Sequence, residues 1–325
     1  MKKVKQVYDI IIVGAGPMGI AIAIEAQKNK LSYLILEKGT LVNSIFNFPK
    51  NMTFFSTSQK LEIGEIPFVS INEKPKRTEA LEYYRRVVEH LNLQLRLYEK
   101  VENIEKKEDL FQVKTAKENY TAKNIAIATG FYDQPNRLNI PGEELPKVKH
   151  YYDEPYAYIN QNVVVVGAGN SATQVALELH QAGVNVTMVV RDNKIEPNVK
   201  YWIKPNIENR IENQEIPTYF NSELAEINPK SVKISTPQGL IEIKNDFVLA
   251  MIGYHPDFEF LNKIGVTCDS NNFNRPNFSL DTHETEIENL YVAGVVCGGN
   301  HTSTYFIENS IEHATGIVNS ILSKA

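Results

Sequence analysis

Short unbroken apolar runs along the chain alternate with stretches of helical period. Tyr8 to Val13 and Val163 to Val166 are two buried-looking β runs. Each leads into a glycine-rich turn, Gly14-Ala15-Gly16-Pro17-Met18-Gly19-Ile20-Ala21 in the first case and Gly167-Ala168-Gly169-Asn170-Ser171-Ala172 in the second. A helical pattern follows each turn, ending near Lys30 or Gly183, and a second β run follows each helix, Tyr33 to Leu36 or Val184 to Val190. The chain therefore carries a βαβ unit twice. Between the copies the pattern predicts a helix over 78–91, β runs over 93–97 and 111–115, and a strand ending in Ala128-Thr129-Gly130. Later come the strands 247–253 and 290–294 and a last helix over 306–322. The economical arrangement is an α/β fold of two Rossmann-like dinucleotide-binding domains, the second inserted in the first. Residues 1–131 and 254–325 form one domain and 132–253 the other, with crossings near Gly130 and Gly253.

The glycines have a physical purpose. At the first position glycine permits a tight turn. At the second it lets the backbone approach a pyrophosphate, which rests on the free N–H groups of a helix N-terminus. The residue closing the second strand distinguishes the copies. In the first it is Glu37, whose carboxylate can accept the ribose hydroxyls of an adenosine. In the second it is Val190, followed by Arg191. A missing carboxylate and an available guanidinium suit a 2′-phosphate, so NADPH is expected there, although Asp192 offsets part of the charge.

Composition narrows the class. The 325 residues are 42% hydrophobic, enough for two cores, and the net charge of −5 with pI about 5.9 suggests no nucleic-acid or membrane-surface partner. Cys268 and Cys297 are too few for a disulfide framework and fit a reducing compartment. Met1-Lys2-Lys3-Val4-Lys5 before Ile10 to Ile24 imitates a secretory signal, but Tyr8-Asp9 and three glycines interrupt its apolar core and a near-copy recurs mid-chain. A cytoplasmic protein is expected, and no metal site is read.

The first glycine motif with Glu37, the Ala128-Thr129-Gly130 turn and Ala293-Gly294 resemble, in order, the thioredoxin-reductase-like flavoproteins. Within these the chain is most similar to the YpdA family of bacillithiol disulfide reductases. The strings that carry this are Asn51-Met52-Thr53-Phe54-Phe55-Ser56-Thr57-Ser58, Glu62-Ile63-Gly64, Lys147-Val148-Lys149-His150-Tyr151-Tyr152, Gly169-Asn170-Ser171-Ala172, Ile252-Gly253-Tyr254-His255-Pro256-Asp257 and Phe306-Ile307-Glu308-Asn309. The resemblance implies an FAD- and NADPH-dependent reductase of a small thiol disulfide, acting on that disulfide or on a small redox protein, in a homo-oligomer. It places FAD against Gly14, Gly16, Pro17, Met18, Gly19, Glu37, Lys38, Ser56, Thr57, Val101, Thr129, Gly130, Gly294 and Ile307. NADPH falls to Gly167, Gly169, Asn170, Ser171 and Arg191, and Gly253, at the chain crossing, is a further cofactor-binding residue. Lys200, Trp202 and Lys204 are candidates to border the nicotinamide.

Two departures bear on mechanism. Thioredoxin reductases carry a C-x-x-C before the second motif, where this chain has Tyr151-Tyr152-Asp153-Glu154-Pro155-Tyr156. The YpdA family carries a single cysteine inside the first glycine motif, where this chain has Met18, and a thioether forms no thiolate. Cys297 is the candidate substitute, with a buried packing role as the alternative; Cys268 lies in a polar turn. The flavin-monooxygenase fingerprint F-x-G-x-x-x-H ends on His150 but has Glu144 and Pro146 at its other fixed positions, so His150 is expected to be an inter-domain polar residue. A ferredoxin or flavodoxin reductase, a monooxygenase and a nucleotide-binding redox sensor are the remaining alternatives.

Overall fold

The computed structural model describes residues 6 to 324. The Met1 to Lys5 part of the signal-like stretch lies outside them. Strand β1 (Val7–Val13) leads through the first glycine turn into helix α1 (Pro17–Lys28) and strand β2 (Tyr33–Leu36). Pro17 begins α1 because that position needs no N–H and its fixed φ already suits a helix. A one-turn helix α2 (Asn43–Phe46) and helix α3 (Arg77–His90) precede strand β3 (Leu95–Arg96). Strands β4 (Val101–Lys107), β5 (Leu110–Thr115) and β6 (Asn119–Ile127) follow. The order is β3-β2-β1-β6-β5-β4, with β1 parallel to β2 and β6, and β5 antiparallel to both β4 and β6. Alternate residues of β1 enter different cores: Ile10 and Ile12 pack with α1, whereas Ile11 and Val13 pack with Val113 and Phe111. Apolar residues on both faces explain the unbroken run.

The second unit begins with strand β7 (Val148–Lys149). Strand β8 (Asn162–Val166), helix α4 (Asn170–Gln181) and strand β9 (Asn185–Val189) make the second βαβ motif. Helix α5 (Lys204–Glu212) and strand β10 (Thr218–Tyr219) follow. Strands β11 (Glu223–Asn228), β12 (Ser231–Thr236) and β13 (Gly239–Lys244) form an antiparallel meander, and strand β14 (Phe247–Ala250) returns to the parallel sheet β10-β9-β8-β14-β7. Val163 and Val165 bury on one face, Val164 and Val166 on the other.

The chain then re-enters the first unit. Helix α6 (Phe258–Lys263) and a short ribbon of strands β15 (Cys268–Asp269) and β16 (Arg275–Pro276) precede strand β17 (Leu290–Val292), which lies parallel to β6. A tight 3₁₀ turn, Gly294–Gly298, connects to the last helix, α7 (Ile307–Ser323).

Two compact units result, one through Gln134 and from Tyr254 onward, the other Pro135–Gly253. The first unit extends past Phe131 because Lys38 pairs with Asp133 at 2.9 Å, Tyr132 packs on Tyr254 at 4.5 Å and His255 N donates to Gln134 O. The meander β11–β13 was not legible as separate strands in the apolar pattern. Its β13 is exposed or half-buried throughout, so it offers no apolar run.

Candidate functional site

The two glycine turns are built alike. Gly14 N donates to Leu36 O at 2.8 Å, and Gly167 N to Val189 O at 3.0 Å. Both glycines have positive φ, +111° and +122°. A Cβ at Gly14 would stand 2.5 Å from Ala128 O, and one at Gly167 2.5 Å from Met251 O. Each turn is therefore wedged against the end of the neighbouring strand, and only glycine fits. The third motif position differs. A Cβ on Gly19 would collide with Gly14 O, whereas the second copy accommodates Ala172, whose Cβ lies 3.3 Å from where a Cβ on Gly167 would stand.

The second positions part company. Among the described residues other than its chain neighbours, nothing lies within 4 Å of where a Cβ on Gly16 would point, so the first turn presents open backbone at the start of α1. Over Gly169 lies the Glu196 carboxylate, 3.3 Å from the same point. The loop carrying Glu196 is fastened by Asn170, whose amide nitrogen donates to Asn198 O and whose oxygen accepts from Lys200 N. Glu196 N also donates to Ala168 O, as Val42 N does to Ala15 O in the first copy. Thus one loop return ends in a buried valine and the other in a carboxylate.

Glu37 is buried at the end of β2. Its Oε2 accepts from Ala15 N and its Oε1 from Gly39 N, both at 2.8 Å. Burial raises its pKa, and the two N–H donors partly oppose the rise. The carboxylate is held rigidly beside the turn with lone pairs to spare. Arg191 is exposed and has no ion pair among the described residues. It lines an open pocket with Asn221, Glu223, Ser235 and Thr236. Asp192 contributes its carbonyl to Asn221 N.

The other expected residues are distributed over both units. Lys38 is paired with Asp133. Ser56 is buried and donates to Glu308 in the first turn of α7, where Ile307 is the first residue. Thr57 accepts from Lys60 N through its carbonyl, and Val101 opens β4 in the core. Thr129 and Gly130 follow β6, and a Cβ on Gly130 would stand 3.8 Å from Ser44 Oγ. Met18 packs against Gly294, its Cγ 2.7 Å from where a Cβ on Gly294 would sit. Ser171 is exposed at the start of α4. Gly253 has φ +89° beside Asn136. Lys200 is buried, its Nζ 5.7 Å from the Trp202 ring and 3.4 Å from Gln174 Oε1. His150 lies 3.2 Å from Arg137 and 3.4 Å from Glu143.

Cys297 is fully buried in the 3₁₀ turn, and burial pushes its thiol well above the ordinary cysteine range. A thiol so placed stays protonated at neutral pH and is a poor nucleophile. Its side chain packs in the cluster containing Val13 and Val292, while Met18 belongs to the cluster on the other face of the sheet. Cys268 is half-buried. Sequence reasoning did not find three side chains: Glu196 over Gly169, Glu308 on Ser56, and His313, whose Nδ1 accepts from Gly294 N at 3.1 Å. Glu308 could have been suspected as an acid in a first helical turn; the other two contacts leave no mark on the pattern.

Paired βαβ turns, each with a helix N-terminus behind an uncovered or lightly covered glycine, define a two-dinucleotide oxidoreductase of the thioredoxin-reductase-like fold. The chain belongs to the pyridine nucleotide-disulphide oxidoreductase family, whose model matches residues 11–294. It is 43% identical over 316 residues, 97% of either chain, to bacilliredoxin reductase Bdr of Bacillus subtilis (strain 168). Bacillithiol disulfide reductase Bdr (YpdA) from Staphylococcus aureus superposes with a TM-score of 0.96 at 42% identity, over 98% of this chain and 99% of that one. The corresponding structure from Bacillus cereus also has a TM-score of 0.96, at 43% identity over 98% and 100%. Among the described residues no helix is long and apolar enough to cross a membrane.

Proposed function

We propose that this oxidoreductase binds FAD in its first unit and NADPH in its second, and reduces a low-molecular-weight thiol disulfide of the bacillithiol type. The observation that carries the cofactor assignment is the contrast at the ends of β2 and β9. A buried, doubly hydrogen-bonded carboxylate, Glu37, suits an adenosine ribose, and an unpaired guanidinium, Arg191, suits a 2′-phosphate. Gly16 offers the pyrophosphate an uncovered backbone at the start of α1, while Gly14 and Gly19 allow the tight packing of the turn behind it. Bound together, a reduced nicotinamide and a flavin supply hydride and electron transfer. The chain's own residues bind and orient: Gly16 leaves room, Glu37 anchors, and Arg191 selects.

The acceptor follows from the relatives, two named for bacillithiol disulfide and one for a bacilliredoxin. In either case two electrons enter an S–S bond. No protein dithiol takes part in this reading. Met18 occupies the first motif, Tyr151 to Tyr156 contain no cysteine, and Cys297 is buried and protonated.

The test is anaerobic reduction of the FAD-loaded enzyme with NADPH, followed by bacillithiol disulfide, an oxidised bacilliredoxin, ferredoxin or oxygen. The expected result is bleaching of the flavin by NADPH and rapid return of its colour with a disulfide acceptor. Faster reoxidation by ferredoxin or oxygen than by either disulfide would overturn the proposed acceptor.

A further inference from the structure

Within the second unit, the chain leaving β9 meets the edge of the β11–β13 meander across an open pocket. Backbone pairing fixes both walls. Val190 N donates to Tyr219 O at 2.9 Å, and Ser222 N to Val190 O and Asn221 N to Asp192 O, both at 3.0 Å. Asn221 turns the chain with φ +49°, a left-handed conformation that asparagine tolerates. Strand β11 then opens on Glu223, which stands directly opposite Ser235 of β12 in the antiparallel register. Residues so paired point to the same face of a sheet. Their neighbours Leu224 and Ile234 point to the other face and are buried in the core. Glu223 and Ser235 therefore project together, and both line the pocket with Arg191, Asn221, Thr236 and Pro237.

The cavity measures about 260 Å³. That is short of the roughly 300–1,000 Å³ of a whole small-molecule site, so it suits one group of a larger ligand. Among the described residues, the side chains of Arg191, Asn221, Glu223 and Ser235 make no hydrogen bond or ion pair within the protein. Thr236 is already committed, since its Oγ1 donates to Gly239 O at 2.8 Å and accepts from Gln238 N at 3.2 Å. The pocket thus holds a guanidinium, a carboxylate, an amide and a hydroxyl, and its two formal charges cancel.

We propose that the meander edge sets the coenzyme preference of this enzyme: Ser235 and Asn221 donate to a 2′-phosphate beside Arg191, and Glu223 limits the margin by which that phosphate is favoured. The inference rests on the reading of Arg191 as the partner of the 2′-phosphate, and it adds the residues that tune the choice. A phosphate monoester carries a charge of roughly −1.5 to −2 at pH 7, which a neighbouring carboxylate repels. The same carboxylate accepts a hydrogen bond from the 2′-hydroxyl that stands there in NADH. Glu223 therefore acts with opposite sign on the two coenzymes. Ser235 has no such asymmetry of charge: its hydroxyl donates to a phosphate oxygen and adds to the pull of Arg191.

The experiment is calorimetric titration of the holoenzyme with adenosine 2′,5′-bisphosphate and with AMP, two fragments that differ only at the 2′ position and need no redox step. Glu223→Gln should tighten the bisphosphate by roughly 3- to 5-fold, as removal of one exposed charge allows, and should not tighten AMP. The gain should vanish in 1 M salt, where charges are screened beyond about 3 Å. Ser235→Ala should weaken the bisphosphate by roughly 3- to 10-fold and leave AMP unchanged. In turnover, Glu223→Gln should raise the ratio of kcat/KM for NADPH over NADH through KM, with kcat unchanged. Unaltered bisphosphate affinity in Glu223→Gln, a gain that persists in 1 M salt, or equal weakening of both fragments by Ser235→Ala would each overturn the proposal. Arg191→Ala separates the two readings. If it removes the preference for the bisphosphate while Glu223→Gln changes nothing, the coenzyme assignment stands and the role of the meander falls. If neither variant changes the preference, both fall.

Discussion

The two glycine turns share a backbone and differ in what surrounds it. Their wedged first glycines are nearly superimposable in contact and dihedral angle, Gly14 on Ala128 O and Gly167 on Met251 O. Around them the first copy places a buried carboxylate beside an open Gly16, and the second a carboxylate over Gly169 and a free arginine past the strand end. On the proposed reading, the backbone lets a dinucleotide lie there and these few side chains select which one.

The strongest way to break the comparison is at the shared element. Gly14→Ala and Gly167→Ala should each lose roughly 3 kcal/mol or more, combining left-handed strain with crowding against a strand carbonyl. Denaturant unfolding of both variants measures this; a mild effect in either would show that the two wedges are not equivalent.

Next in size is Glu37→Ala. Orphaning the Ala15 and Gly39 N–H groups costs roughly 1–3 kcal/mol of stability. The protein should purify largely colourless while NADPH affinity by calorimetry changes little. Fully yellow protein would count against Glu37 as the ribose anchor.

Arg191→Ala sharpens the contrast from the other side. NADPH should be preferred over NADH in the unmodified enzyme, and the substitution should narrow the gap by roughly 1–3 kcal/mol in kcat/KM. Equal efficiency with the two coenzymes before any substitution would remove the basis for the assignment.

The smallest expected effect is at Glu196, exposed and 3.3 Å from the space over Gly169. Its charge opposes a pyrophosphate at that turn, so Glu196→Gln should tighten NADPH by a few-fold, within roughly 1 kcal/mol for an exposed charge. Weaker binding would mean that Glu196 supports the nucleotide instead of opposing it.

The sequence by itself determined the two βαβ motifs, the insertion of one unit in the other, and Glu37 and Arg191 as the residues that tell the turns apart. These are local features: a buried parallel strand needs an unbroken apolar run, and a turn that touches a neighbouring strand needs glycine. Only the tertiary structure decided the rest. Residues 132–134 joined the first unit through the Lys38–Asp133 pair and the Tyr132–Tyr254 contact, and His150 met Arg137 and Glu143. The tertiary structure also set Glu196 over Gly169, Glu308 on Ser56, and Glu223 and Ser235 in one pocket with Arg191. Such contacts join positions tens to hundreds of residues apart, and a hydrophobic pattern records how each segment is buried but not which distant side chain is buried beside it.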